Sequence, residues 1–278
     1  MNGTVDNAQL ALLLEVASTP TPGNVDRERE YPDLRFEHFL AGAVGAREGL
    51  DALADRTVPF GRAFERAIAG MSGQRGGNTQ FGAILLLAPL VRAAGRDGPI
   101  GAAATTVVEE TTVEDAVGFY AAFDHVDVAV SDPPANTPLP DVRRGSDAEA
   151  ALRERNMTLE DVMVGSAERD GIAAEWTDGF RRTLDAADRI ATGNGAVTDR
   201  AARTHLALLA NEVDTFVVTQ HDRETAEEVR DRARAVLDGE GAVREFADEL
   251  VARGINPGTT ADLIAGGLFV ALESGMEV

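Results

Sequence analysis

Apolar residues along this chain recur every three to four positions, the spacing of helices with one buried face, and sustained alternation is nearly absent. The run from Leu10 to Leu14 is unbroken, which predicts a helix over 7–17 buried on most sides, with Asn7 as its N-cap. Between Pro20 and Pro32, Pro and Gly are too frequent for that helix to continue. Helical patterns return over 35–54, 59–70 and about 79–94, the last with a kink expected at Pro89. Others follow at 112–122, 147–155, 158–190, 198–219, 223–237, 241–253 and 260–273, with breaks marked by Gly171, Gly193-Asn-Gly195 and Gly254. Val126–Val130 is the one short strand candidate. The expected fold class is therefore all-α: a single compact multi-helix domain over 1–278, with a mobile loop in the Pro-rich stretch 131–146.

Composition narrows the setting. The 278 residues are 44% hydrophobic, enough for one large core, and no uncharged apolar run is long enough to span a membrane. The N-terminus carries no basic region followed by an apolar run, so a cytoplasmic protein is expected. With no cysteine, disulfides, thiolate catalysis and the usual zinc sites are excluded. Asp and Glu number 47 against 26 basic residues, a net charge of −21, and every basic residue is Arg. Such a surface disfavours nucleic acid and anionic membranes, and it suits a cytoplasm of high salt, where self-repulsion is screened. The absence of Lys excludes a Walker-type phosphate loop and a Schiff base.

Candidate chemistry gathers in polar islands beside apolar helices. Glu15 is the sole charge between Leu10 and Val16, so it must be paired with an Arg, metal-bound or protonated. The following Pro20-Thr-Pro-Gly23 turn can expose Asn24 and Asp26. The stretch Gly73–Gly82 leads into a helix and carries Arg75, Gly76, Gly77, Asn78 and Thr79; it reads equally as an anion cradle of backbone N–H groups or as a plain capped turn. Asn256-Pro-Gly258-Thr259-Thr260-Ala-Asp262 fits a capping box, with a phosphate or metal site as the alternative. Asn211 and Asp214 would share one face of the helix 198–219, at the flank of its apolar stripe, where a cleft-lining carboxylate or a solvated edge are both consistent. His38, His125, His205 and His221 have no ligand spacing, so a hard cation on carboxylate oxygens is the expected metal.

Taken in order, the islands Glu15…Pro20-Thr-Pro-Gly-Asn-Val-Asp26, Gly77-Asn-Thr-Gln-Phe-Gly-Ala-Ile84, Asp214-Thr215 and Asn256-Pro-Gly-Thr-Thr-Ala-Asp262 resemble the triphosphoribosyl-dephospho-CoA synthase family over nearly the whole chain. The resemblance implies an all-helical transferase that moves the triphosphoribosyl group of ATP to 3′-dephospho-CoA and releases adenine, for prosthetic-group synthesis. It implies ATP and a coenzyme-type acceptor as partners, Mg²⁺ as cofactor, and no nucleic acid or membrane; a homodimer is compatible with it. Glu15, Asp26 and Asp214 are then expected as catalytic carboxylates, with Asp214 and Asp262 on the metal. Arg75, Gly76, Gly77, Asn78, Thr79, Asn256, Gly258, Thr259 and Thr260 are expected to bind nucleotide and phosphate. Thr21 stands where the family carries Lys, Gln80-Phe81 where it carries His-Lys, and Gln220-His-Asp222 where a basic Gly-rich stretch is usual. Two alternatives remain: the same nucleotide site with another coenzyme precursor as acceptor, and a non-catalytic nucleotide-binding or partner-binding helical protein.

Overall fold

The structure, a computed structural model, describes residues 3–133 and 137–278. Sixteen α-helices and no strands are found among them. In order they are α1 (Thr4–Ala17), α2 (Phe36–Gly45), α3 (Arg47–Ala54), α4 (Phe60–Met71), α5 (Phe81–Ala93), α6 (Ile100–Glu109), α7 (Val113–Ala121) and α8 (Glu149–Glu154). Then come α9 (Leu159–Ser166), α10 (Gly171–Thr177), α11 (Arg181–Thr192), α12 (Val197–Asn211), α13 (Thr215–Gln220), α14 (Arg223–Leu237), α15 (Val243–Ala252) and α16 (Gly258–Glu273). The all-α expectation holds, and Val126–Val130 forms no strand. Among the described residues no helix is long and apolar enough to cross a membrane.

The C-terminal helix α16 is the axis of the core and packs on α1, α5, α11 and α12. Its stretch Leu263–Leu272 is wholly buried, so nothing on that length faces water. Each Leu or Phe buried there contributes about 1.5–3 kcal/mol. Close approach depends on small residues: a Cβ at Gly267 would come 2.7 Å from the Ala186 methyl on α11, and one at Gly266 would come 2.8 Å from Leu86 on α5. The chain's two ends are tied together. Asn7 lies inside α1 instead of capping it, and its amide donates to Glu273 Oε1 at 2.6 Å.

Three expected helices are interrupted, each by a local device. The pattern 35–54 breaks at Ala46, where Gly45 lies against the backbone of Gly70 on α4. The pattern 158–190 resolves into α9, α10 and α11. Asp170 caps α10 through the N–H groups of Ile172 and Ala173, and left-handed Gly179 and Phe180 turn the chain into α11. The pattern 198–219 stops at Asn211, and Asp214 starts α13. Asn211 and Asp214 therefore do not share a helix face. Helix α6, an Ala- and Thr-rich stretch of weak contrast, is an addition to the expected set.

A smaller apolar cluster from α12–α15 and the turn after α15, including Leu209, Val229, Phe246, Leu250 and Ile255, underlies the loop 18–31. Gly23, at φ +76°, sits against Leu250, Ile255 and Pro257 where no side chain would fit. The Tyr31 hydroxyl donates to the Gly23 carbonyl at 2.6 Å and fixes the loop's return. Tyr120 Oη donates to Pro140 O at 2.8 Å, and Arg143 bridges Asp132 and Asp141. Residues 134–136 of the expected mobile loop 131–146 lie outside the described residues.

Surface arginines such as Arg153 and Arg253 each hold two carboxylates, yet acids exceed bases by 21. Exposed pairs contribute at most about 1 kcal/mol each, too little to offset the repulsion of the surplus. We therefore expect the unfolding temperature to rise by roughly 10 °C from dilute buffer to multimolar KCl, a change of a few kcal/mol. A calorimetric scan across that range checks it, and a flat or falling trend would reject salt adaptation.

Candidate active site

A cavity of about 390 Å³ opens between α1, the start of α5, the stretches 127–133 and 139–142, the α9–α10 turn, α13 and the start of α16. Its polar lining includes Glu15, Asn24, Asn78, Gln80, Asn256 and Asp262. Its apolar lining includes Phe81, Phe119 and Phe123, whose rings pack with centroids 4.9–6.5 Å apart.

Glu15 enters this space from α1. It is 6% exposed and its carboxyl has no hydrogen-bond or ion-pair partner among the described residues. Burial, then the charge of Asp26, push its pKa up to about 8. The same Leu-rich helix that excludes water from the core thus holds a carboxyl ready to take or give a proton near neutral pH.

Asp262 faces Glu15 from the N-terminal part of α16, one turn in from its start at Gly258. Burial raises its pKa well above the carboxylate range, and the charges of Glu15, Asp214 and Asp170 raise it further. Its carboxyl lies against the N-terminus of α5, where the Ala83 N–H favours the ionised form. A Cβ at Gly82 would overlap that carboxyl, so the glycine makes room for it. The helix terminus that the sequence offered as an anion cradle holds the protein's own carboxylate.

Asp26 and Asp214, expected as catalytic and metal-binding carboxylates, are both engaged in hydrogen bonds that hold the fold. Asp26 is fully buried and does not line the cavity. Its oxygens accept from Thr19 Oγ1 (2.8 Å), Thr21 N (3.1 Å) and Glu28 N (2.7 Å), and Arg29 pairs with it at 3.2 Å. It holds the loop 18–31 in shape. Asp214 Oδ1 accepts from Phe216 N and Val217 N, and Oδ2 accepts from Thr260 N and Thr260 Oγ1, both at 2.7 Å. Four donors use its lone pairs and clamp α13 to the start of α16. Burial still raises its pKa, against those donors.

The glycine loop also departs from expectation. Arg75 is exposed, and Arg75, Gly76 and Gly77 do not line the cavity. The Gln74 side chain fills the loop, accepting from Gly76 N and donating to Gly77 O. The Gly76 N–H is thereby turned to Gln74 and away from the cavity. Asn78 and Thr79 do line the cavity; Asn78 Oδ1 accepts from Phe81 N at 3.1 Å and caps α5. Asn256, Gly258 and Thr259 line it from the α16 side, while Thr260 turns away to Asp214.

Three residues at or behind the cavity wall were not expected as site residues from the sequence. Asp170 faces the cavity and is reachable by solvent, yet protein surrounds it and raises its pKa; Asp-Gly at a helix start was the available signal. Gln80 Nε2 donates to Leu12 O and joins α5 to α1 one turn from Glu15. His205 is fully buried, and burial holds its pKa down to about 4, so it is neutral and its Nε2 accepts from Asn24 Nδ2 at 2.7 Å. No periodicity marks that pair, 181 residues apart.

The cavity offers hard oxygen donors and no thiolate or imidazole, a set suited to Mg²⁺. Among the described residues no three acidic or histidine groups converge as a complete metal cage. Mg²⁺ commonly takes one or two carboxylates and fills its octahedron with waters and substrate phosphates, which these side chains can accommodate.

An all-helical domain with several carboxylates at one cavity, and no Lys or Cys in the chain, offers acid–base and electrostatic chemistry and no amine or thiol nucleophile. The family model for ATP:dephospho-CoA triphosphoribosyl transferase matches residues 1–277, and the chain belongs to that family. Its activity is transfer of the triphosphoribosyl group of ATP to dephospho-CoA. The fold is similar to a crystal structure of a candidate triphosphoribosyl-dephospho-CoA synthase from Archaeoglobus fulgidus. That match has 26% identity and a TM-score of 0.68, covering 86% of this chain and 100% of that one. No curated protein matches the chain.

Proposed function

We propose that Glu15 is the general base of the transfer and that Asp262, with Asp170, holds the Mg²⁺ that accompanies the triphosphate. The observation that carries this reading is the unpartnered Glu15 carboxyl, buried and open only to the cavity. In the reaction the acceptor's ribose hydroxyl oxygen bonds to the anomeric carbon of ATP. The carbon–nitrogen bond to adenine breaks, its electron pair leaves with the base, and the hydroxyl proton passes to Glu15. A base with pKa near the working pH is the efficient one for such a proton. Bound Mg²⁺ would neutralise phosphate charge. Asn78 and Thr259, both at the cavity wall, can hydrogen-bond the substrate. The apolar lining of Phe81, Phe119 and Phe123 suits a flat base or the uncharged part of a coenzyme.

Incubation with MgATP and dephospho-CoA, with adenine followed by chromatography, tests the reading. We expect adenine and the coenzyme adduct in equal amounts. Adenine that appears only with another acceptor would move the assignment to that acceptor. No adenine with any acceptor would leave a nucleotide-binding protein.

A further inference from the structure

Among the described residues the cavity wall carries five carboxylates, Glu15, Asp127, Asp141, Asp170 and Asp262, and one guanidinium, Arg169. A phosphate chain brings several negative charges into this acidic space, so the location of fixed positive charge decides where it can lie.

Arg169 sits half-buried in the turn between α9 and α10, beside the wall formed by 131–133. It donates only to two backbone carbonyls, Asp132 O at 3.4 Å and Gly165 O at 3.3 Å. Among the described residues no carboxylate lies within ion-pair distance of it. The neighbouring Asp170 directs one oxygen instead to Ile172 N and Ala173 N. Elsewhere Arg143, Arg153, Arg182 and Arg253 each hold two acids. With 47 acids available to 26 arginines, an arginine left without one at the cavity wall has donors to spare. A guanidinium has five N–H donors in a planar fork that matches phosphate oxygens two at a time. The Ser166 and Thr219 hydroxyls line the same part of the wall.

We infer that Arg169 is the residue by which this chain grips a phosphate chain, with the reacting sugar placed deeper, toward Glu15 and Asp262. This rests on the reading of the cavity as the nucleotide site. The ligand chemistry is the same for the triphosphate of ATP and the diphosphate of dephospho-CoA.

Calorimetric titration of wild type, Arg169→Gln and Arg169→Lys with MgATP, with dephospho-CoA and with adenosine separates the cases. We expect Arg169→Gln to weaken one phosphate-bearing ligand by at least about tenfold, and Arg169→Lys to recover part of it. Adenosine should bind both variants as it binds wild type. The weakened ligand identifies whose phosphates are held. Unchanged affinity of Arg169→Gln for both phosphate ligands would overturn the inference alone. So would a parallel loss for adenosine, which would make Arg169 a wall residue. A wild type that binds adenosine but neither phosphate ligand would overturn the nucleotide reading and this inference together.

Discussion

Glu15→Gln will abolish most adenine release and at the same time make the protein more stable at pH 8. The activity loss is expected to be at least about a hundredfold, within the usual contribution of a general base. The stability gain follows from burial. The glutamic acid has a folded pKa of about 8 against an ordinary value of 4.5, so between those values the folded state holds a proton that the unfolded chain releases. Its contribution is fully favourable only below pH 4.5 and is lost as pH rises toward 8. By pH 8 the buried site opposes folding by up to about 4 kcal/mol, which Gln removes. Thermal melts of nucleotide- and metal-free protein from pH 5 to 8.5 should show a steeper decline for wild type than for Glu15→Gln. Parallel curves would mean that Glu15 is not isolated, and retained turnover would end its role as base.

Asp262→Asn and Asp214→Asn should fail in opposite ways. Asp262 crowds Glu15 and Asp170 and holds an ionised form only at a cost. Its amide should fold at least as well as wild type, yet lose at least about a hundredfold in turnover if it holds Mg²⁺ on the phosphates. Asp214 makes four hydrogen bonds between α13 and α16. An amide nitrogen in place of either oxygen would oppose donors already there, so Asp214→Asn should cost about 2–3 kcal/mol of stability. Measured kcat and denaturation midpoints of the two variants decide this. A stable, inactive Asp214→Asn would return that residue to the chemistry. A normally active Asp262→Asn would remove Asp262 from it.

Both expectations depend on a distinction that the sequence did not make. Glu15, Asp26, Asp214 and Asp262 looked alike there: carboxylates near turns, each at a matching family position. Side-chain donors divide them. Thr19, Thr21 and Arg29 consume Asp26, and Thr260 with the α13 N-terminus consumes Asp214, while among the described residues no side chain bonds to the Glu15 carboxyl. Those donors lie up to 46 residues away in the chain. A hydrogen bond across that separation leaves no periodic trace.

The sequence by itself determined the helical class, most helix positions, the burial of Glu15 within the apolar part of α1 and the family. Each follows from local spacing of apolar residues, from caps and from short motifs, which act over a few residues. It also determined the acidic excess, since charge adds up without regard to fold. Only the tertiary structure decided which acids face the cavity, that Gln74 fills the glycine loop, and that Gly82 leaves room for Asp262 at the start of α5. It also brought Arg169 to that cavity and left Arg75 outside. The physical reason is that a polar side chain's role depends on which partners reach it first, and helix packing, not sequence spacing, brings those partners together.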